Sequence, residues 1–214
     1  MREAFGLNIP QTVAEACDPA AMALIIYDMQ VGIVRQIPDS DKVVQACVQL
    51  RDAARSGGFR VFYTRHMSLP PAASGVSQLR TAMAWQRVDD PSEVRSSFPQ
   101  GSPQYQLTPE LTPGPDEVVF DKITMSAFAG TPLDIALRDL GIDSFAIAGI
   151  AMEVGIEPTV RHATDLGYLP IMVTDACGAG HAEAAERSHA TLAFAGGSLT
   201  TDTATLAELM SKGS

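Results

Sequence analysis

The stretch "AIAGIAMEVGIEPTVRHATDLGY" (146–168) decides the fold class of this sequence. A continuous run of small and branched apolar residues ends in a short turn, and a helical pattern follows as far as Gly167. A continuous apolar run is typical of a strand that is buried on both faces of a parallel sheet. The turn at 151–155 contains no Ser, Thr or Cys, which raises the question of what chemistry it can support.

Five further runs have the character of strands, and helical patterns separate most of them. The runs are "AMALIIYD" (21–28), "FRVFYTR" (59–65), "EVVFDK" (117–122), "YLPIMVTDA" (168–176) and "GSLTT" (197–201). The clearest helical patterns are at 41–58, 131–142 and 182–197, and we expect Thr131 to be the N-cap of the second, with Pro132 in its first turn. Alternating strands and helices predict right-handed crossovers and a three-layer α/β/α sandwich.

The organisation is that of a single domain over residues 1–214, with an N-terminal arm at 1–20. Residues 67–116 interrupt the alternation, are rich in Pro, Ser and Gln, and contain one short helical pattern at 76–84. A loop of this length inside a compact domain is usually functional, so we predict that it forms the wall or lid of a pocket. A tolerated surface insertion is the alternative.

Composition excludes several classes of partner. The chain has a formal net charge of −10, whereas nucleic-acid binding requires clustered Lys and Arg. No apolar run approaches the ~20 residues that span a bilayer, and the first 20 residues do not resemble a secretion signal. Three widely spaced cysteines indicate neither a disulfide framework nor a zinc site. We therefore expect a cytoplasmic protein that binds neither nucleic acid nor membrane.

Two charged residues follow apolar strands at the edge where α/β sheets place their ligands. Asp28 follows "LIIY", and Lys122 ends "EVVFDK". A half-buried carboxylate or ammonium is costly unless it has a partner or a catalytic task, and the two groups would satisfy each other. Taken alone, they fit a plain salt bridge as well as a catalytic pair.

Several separated motifs occur in a fixed order along the chain. They are "IIYDMQ" (25–30), "FDKITMSAFAGTPLDIALRDLGI" (120–142), the opening stretch and "VTDACGAG" (173–180). Together they resemble the isochorismatase-like hydrolases, also called the cysteine hydrolase superfamily, over about residues 22–202. The resemblance implies a six-stranded parallel sheet of order 3-2-1-4-5-6 and, in most branches, an Asp–Lys–Cys triad that hydrolyses amides through an acyl-enzyme. It also implies a non-proline cis peptide, which would fall at Ala151–Met152.

The resemblance assigns Asp28 and Lys122 to the aspartate and lysine of that triad, and Gly155 to the cysteine. Glycine cannot form an acyl-enzyme, so covalent catalysis from this position is excluded. It would leave a helix N-terminus with unpaired N–H groups, and space for a substrate atom or a water. Cys17, Cys47 and Cys177 are expected to be buried or incidental thiols rather than substitutes.

Two mechanisms are open for such a site. The isochorismatases proper have the Asp, the Lys and a glycine, and their Asp protonates an enol-ether carbon before water adds. Alternatively, Asp28 acts as general base on a water above Gly155, with helix amides holding an oxyanion. The turn lacks the Tyr and His of the isochorismatases proper, and Gly130-Thr131 is an amidase-like feature, which argues against isochorismate itself.

Further residues are expected around the substrate. The turn contributes Ala151, Met152 and Glu153, the last as a possible second acid or base. The "SAF" segment contributes Phe128. A second set comes from the region after the second strand and from the long loop, where His66, Trp85 and Arg87 are expected to line the pocket, with Arg87 as an anion clamp.

No metal and no cofactor are expected, because His66 has no second ligand at metal-binding spacing. The resemblance implies a homodimer or homotetramer. Our prediction is a hydrolase that acts on a small carboxylated molecule by water addition without an acyl-enzyme. The alternatives are a non-catalytic binding homologue that keeps the pocket, and an amidase whose cysteine has been replaced by Gly155.

Overall fold

A six-stranded parallel sheet forms the centre of the molecule, and the structure, a computed structural model, describes residues 1–212. A separate antiparallel hairpin precedes it, made of β1 and β2. The strands are β1 (Arg2–Ala4), β2 (Leu7–Ile9), β3 (Met22–Tyr27), β4 (Arg60–His66), β5 (Val118–Lys122), β6 (Ser144–Ile150), β7 (Leu169–Gly178) and β8 (Leu199–Thr201). The sheet order is 5-4-3-6-7-8, which is the predicted 3-2-1-4-5-6 when only the strands of this sheet are counted. The predicted α/β class is confirmed.

Eight α-helices connect or flank these strands. They are α1 (Val13–Ala16), α2 (Val31–Val34), α3 (Ser40–Ser56), α4 (Val76–Gln86), α5 (Leu133–Asp139), α6 (Glu157–Leu166), α7 (Ala182–Ala195) and α8 (Thr203–Ser211). Within residues 1–212, no helix combines the length and apolarity that a membrane span requires.

The two faces of the sheet bury different sets of side chains. Along β3, Met22, Leu24 and Ile26 point towards α3 and α8, whereas Ala23, Ile25 and Tyr27 point towards α5, α6 and α7. All six residues of β3 are buried, because this strand has helices on both faces. The alternation assigns Tyr27 to the face that α6 covers, and this assignment matters for the site.

The switch point of the sheet lies at β3. This strand pairs with β4 on one side and with β6 on the other, and the chain crosses from the outer strand β5 back to β6. Ligands of open α/β sheets bind at the carboxyl ends of strands beside such a point. The topology therefore directs attention to the ends of β3, β4, β5 and β6.

Local differences from the sequence prediction have simple causes. The N-terminal arm, for which no element was predicted, is a hairpin followed by α1. The N-cap of α5 is Pro132 and not Thr131, because the helix begins one residue later; the Thr131 hydroxyl still accepts the Leu133 N–H at 3.3 Å and donates to the Ala127 carbonyl. The segment 67–116 holds α4 and four single turns of 3₁₀ helix, each beginning at a proline.

Candidate active site

Three strand ends bring a carboxylate, an ammonium and a hydroxyl together. Asp28 follows β3 with a left-handed backbone (φ 48°), Lys122 ends β5, and Thr64 lies on β4 between them. The Lys122 Nζ atom is 2.7 Å from Asp28 Oδ2, and both side chains are almost fully buried. The Thr64 hydroxyl donates to Asp28 Oδ1 at 2.6 Å. The structure thus brings together the two residues that the sequence named as a pair.

Tyr27 is the third polar side chain of this cluster. Lys122 Nζ donates to the Tyr27 hydroxyl oxygen at 2.8 Å and to the Thr124 carbonyl at 3.1 Å. The phenol in turn donates its proton to the carbonyl of Met125. Burial, followed by the nearby Asp28 carboxylate, raises the pKa of the Tyr27 phenol well above its usual value. Tyr27 is therefore a neutral hydroxyl at physiological pH.

Gly155 lies in a π-helical turn, Met152–Ile156, that connects β6 to α6. A methyl group added to Gly155 would overlap the Tyr27 hydroxyl and would stand 2.5 Å from Cε1 of the same ring. This corrects the expectation of an open space at Gly155. Because Tyr27 points from β3 towards α6, its phenol fills the volume that a side chain at 155 would need.

The backbone amides of this turn are also not free. The N–H groups of Val154, Gly155 and Ile156 all donate to the Ala151 carbonyl, at 3.3, 3.0 and 3.2 Å. The expectation of unpaired amides aimed into the pocket is therefore wrong for these three groups, because the π turn satisfies them internally. The cis peptide bond is at Ile150–Ala151, one bond earlier than predicted.

A cavity of about 270 Å³ opens onto the cluster. Its floor is formed by Tyr27, Asp28 and Gly155. Its wall includes apolar and amide side chains from α2, α4 and the loops, namely Ile33, Gln36, Ile37, Trp85, Gln86, Phe98 and Met125. An adjoining cavity of about 370 Å³ shares His66, Trp85, Gln86 and Phe98 and extends under the segment 67–98. Within the segment 67–116 that was predicted to form a pocket wall, residues as far as Phe98 line these cavities and residues 99–116 line neither.

Three of the predicted substrate-binding residues line these cavities. Ala151 and His66 line the smaller one, and Trp85, which is 58% exposed, lines both. Burial lowers the pKa of the His66 imidazole, with the Lys122 ammonium acting in the same direction and Asp28 opposing it. His66 is therefore neutral at pH 7. Its backbone is held by two hydrogen bonds with the buried Gln30 amide, at 2.6 and 3.0 Å.

Four other predicted residues lie elsewhere. Met152 is fully buried in the core beneath α6, and Phe128 stacks on Tyr168 in the same core. Their apolar side chains, which had suggested a pocket wall, pack in the core instead. Arg87 is exposed at the C-terminal cap of α4, where its backbone is left-handed (φ 55°), and it lines neither cavity.

Glu153, the fourth, does not line either cavity. Its Oε1 atom accepts the His181 N–H at 2.7 Å, which ties the π turn to the start of α7. Its Oε2 atom has no hydrogen-bond partner among residues 1–212. A structural role as a loop anchor therefore replaces the predicted second acid or base.

The sequence analysis missed Tyr27, Phe98 and Gln36. Tyr27 carried a usable signal, because a polar atom at the last position of a buried strand, next to Asp28, must find a partner at the sheet edge. Phe98 and Gln36 carried no such signal, because their position beside the cavity depends on how the loops fold. Among the described residues, no three or more His, Cys, Asp or Glu side chains are grouped as metal ligands.

The sequence of this chain is similar to those of known proteins. Residues 22–205 match the model of the isochorismatase domain. The chain belongs to the isochorismatase family. The resemblance read from the motifs is thereby confirmed, and the predicted hydrolase class follows from it. The chain is 34% identical over 155 residues to the uncharacterized isochorismatase family protein YwoC of Bacillus subtilis (strain 168), covering 72% of this chain and 76% of that protein.

Solved structures of family members share the fold. A cysteine hydrolase from Pseudomonas syringae pv. phaseolicola 1448A matches with a TM-score of 0.79 at 24% identity, covering 93% of this chain and 96% of that one. An N-carbamoylsarcosine amidase from Thermoplasma acidophilum matches with a TM-score of 0.70 at 21% identity, covering 86% and 96%. At these identities the likeness concerns the fold alone.

Proposed function

We propose that this isochorismatase family member hydrolyses a small carboxylated molecule by adding water directly, without an acyl-enzyme. The observation that carries the proposal is the buried Asp28–Lys122 pair, 2.7 Å apart, of which Asp28 lines a cavity at the switch point of the sheet. Burying an ion pair costs free energy that a hydrophobic pair would not, so its presence in a cavity favours a catalytic task.

The absence of a covalent step is supported by what surrounds the pair. Position 155 is a glycine, and no cysteine lines either cavity within the described chain. Burial raises the pKa of the Cys17 thiol to about 11 and that of Cys177 to about 12, and it raises that of Cys47 as well. All three thiols are therefore protonated and unreactive at neutral pH.

Asp28 is assigned the role of general base. One of its oxygens accepts a hydrogen bond from Thr64 and the other accepts one from Lys122. A group that accepts at both oxygens has the hydrogen-bonding pattern of a carboxylate. A carboxylate can take a proton from a cavity water, whereas protonation of an enol-ether carbon requires the acid form. The arrangement therefore favours direct hydrolysis of a C–O or C–N bond over isochorismatase-type chemistry.

Arg95 replaces Arg87 as the candidate partner of a substrate carboxylate. It lines the adjoining cavity, beside Gln86, whose side-chain amide bonds the Arg95 backbone at 2.7 and 2.9 Å. The Nη1 group of Arg95 donates to the Ser92 and Val94 carbonyls at 3.1 and 3.3 Å, which leaves the other N–H groups of the guanidinium for a carboxylate that the substrate carries away from the bond that breaks. Arg95→Met is expected to raise KM for an acid and to leave KM for its methyl ester unchanged.

The test is a substrate panel followed by mass spectrometry. The panel contains amides, N-carbamoyl acids, lactams, esters and vinyl ethers, the N-carbamoyl acids because one fold neighbour is named as an amidase of that class. Asp28→Asn should lower turnover at least about 10³-fold, on the scale of a lost general base. The matched control is Asp121→Asn, which removes a carboxylate paired with Arg65 on the neighbouring strand and should have little effect.

The mass of the intact protein during a single turnover in ¹⁸O-labelled water distinguishes the mechanism, because water that hydrolyses an acyl-enzyme would label the product too. Direct addition puts the label into the product and never adds substrate mass to the protein. An acyl-enzyme mass on the intact protein would contradict the proposal. Equal ligand binding by the unaltered protein and Asp28→Asn, with no turnover by either, would instead identify a binding protein. The dimeric or tetrameric state and the cytoplasmic location stay predictions.

A further inference from the structure

Tyr27 occupies the place that a nucleophilic side chain would take. A carbon attached to Gly155 would lie 2.0 Å from its phenol oxygen, and the position of that carbon is fixed by the backbone of the π turn. A side chain at 155 would therefore require the Tyr27 ring to move or to be replaced. The polar atom that faces Asp28 and Lys122 from this side of the cavity is therefore the phenol oxygen of Tyr27, the last residue of β3.

The phenol is connected to the catalytic pair and to the cavity. Lys122 Nζ bridges Tyr27 Oη at 2.8 Å and Asp28 Oδ2 at 2.7 Å, so a proton can pass from the carboxyl to the phenol through one ammonium. The same ammonium lies 4.3 Å from the centre of the Tyr27 ring. Tyr27 and Asp28 both line the smaller cavity.

We propose that Tyr27 is a third catalytic residue, which donates the proton that the leaving group needs. The inference rests on the proposed function, because it assigns the acid for a reaction whose base is Asp28. The backbone amides of Val154, Gly155 and Ile156 already donate to Ala151, so they do not compete for this role.

The proton balance of the reaction closes on these three side chains. Asp28 takes a proton from water while the water oxygen bonds to the substrate carbon. The bond from that carbon to the leaving atom breaks, its electron pair stays on the leaving atom, and Tyr27 gives this atom a proton. Lys122 returns a proton to the Tyr27 oxygen and receives the one held by Asp28. One water is consumed, and each group regains its starting state.

The charge state of Tyr27 agrees with this role. A phenol that stays protonated far above neutral pH is always available as a donor. It can protonate a leaving alkoxide or amide anion because either is a stronger base than a phenolate, and Lys122 stands ready to reprotonate it. Its present donation to the Met125 carbonyl shows that its hydrogen faces the loop after β5. A bound substrate must take over this hydrogen bond.

The experiment compares two leaving groups in Tyr27→Phe. The probes are monoethyl succinate, whose alkoxide must be protonated, and mono-4-nitrophenyl succinate, whose leaving group departs without a proton. Tyr27→Phe should lower kcat for the ethyl ester about 100-fold and kcat for the nitrophenyl ester less than about threefold, with KM changed little. Equal losses for both esters would indicate a structural role and would overturn the assignment.

Two variants separate this inference from the proposed function. If Asp28→Asn abolishes turnover and Tyr27→Phe does not, the proposed function stands and the Tyr27 assignment is wrong. If Asp28→Asn turns over both esters normally, the proposed function itself is wrong. Tyr168→Phe is the matched control, because its hydroxyl bonds Asp134 on the outer side of α5 and its loss should leave both rates unchanged.

A test without substrate examines the position itself. In a protein carrying Tyr27→Val and Gly155→Cys together, the new thiol takes the place of the phenol oxygen beside the Lys122 ammonium. It should react with iodoacetamide at pH 7 at least about tenfold faster than Cys17, because a neighbouring cation lowers the pKa of a thiol. A rate no faster than that of Cys17 would show that the Lys122 ammonium does not act on a group at this position, and would contradict the proposed proton path between Lys122 and Tyr27.

Discussion

The floor and the wall of the cavity are built on opposite principles. The floor consists of Tyr27, Asp28 and Gly155. Tyr27 and Asp28 are at most 4% exposed, and both accept hydrogen bonds from the buried Lys122 ammonium at the end of a neighbouring strand. The wall comes from residues 67–98, where α4 buries none of its residues and Trp85 is 58% exposed. Rigid strands hold reacting groups in place, whereas an exposed segment can vary to suit a ligand. Mutations in the two regions should therefore fail in different ways.

The largest effect is expected from Lys122→Met. The change leaves the Asp28 carboxylate buried without its partner, which should lower the free energy of unfolding by about 3–5 kcal/mol and abolish turnover. Urea denaturation and the ester assay measure the two losses. Adding Asp28→Asn should restore most of the stability and none of the activity. A Lys122→Met protein of normal stability would mean that the pair is not buried as the structure shows.

Gly155→Ala should be the next most damaging change. Its methyl group would overlap the Tyr27 phenol, and overpacking of this kind costs about 1–3 kcal/mol. In a protein that already carries Tyr27→Val, the same Gly155→Ala change should cost much less stability, measured by thermal unfolding of the four proteins of this double-mutant cycle. Gly75→Ala is the matched change in the wall, because Gly75 has nothing within 4 Å and an ordinary backbone angle of −78°. It should alter stability by less than about 1 kcal/mol.

Trp85→Ala is expected to affect binding alone. The side chain lines both cavities but is mostly exposed, so its loss should raise KM about tenfold while kcat and thermal stability stay nearly unchanged. Steady-state kinetics with monoethyl succinate provide the measurement. A fall in kcat with KM unchanged would place Trp85 in the chemistry and would remove the distinction between floor and wall.

The smallest effect concerns His66, where the floor meets the wall. Its pKa is lowered by burial, so the unfolded chain binds a proton more readily than the folded one as the pH falls below about 6.5. The contribution of His66 to stability is complete above that pH and is lost on acidification through the lowered pKa. Chemical denaturation between pH 7.5 and 5 should show a shallower decline for His66→Gln than for the unaltered protein.

The sequence alone determined the fold class and the Asp28–Lys122 pair, whereas the order of the strands followed only from the resemblance to the isochorismatase-like hydrolases. Continuous apolar runs and helical spacing record burial directly, because each strand of a parallel sheet must be apolar on both faces. A charged residue at the end of such a strand is equally conspicuous. These features are local in the chain, so they can be recognised without coordinates.

The tertiary structure alone decided what fills the space beside the pair. No local pattern shows that Tyr27, 128 positions before Gly155, enters its volume, because that contact depends on the register between β3 and β6 and on the angle of α6. The same applies to Met152 and Phe128, whose apolar side chains fit a core or a pocket equally well until their neighbours are placed. The sequence gives the type of each side chain, whereas the packing of the tertiary structure decides which neighbours that side chain contacts.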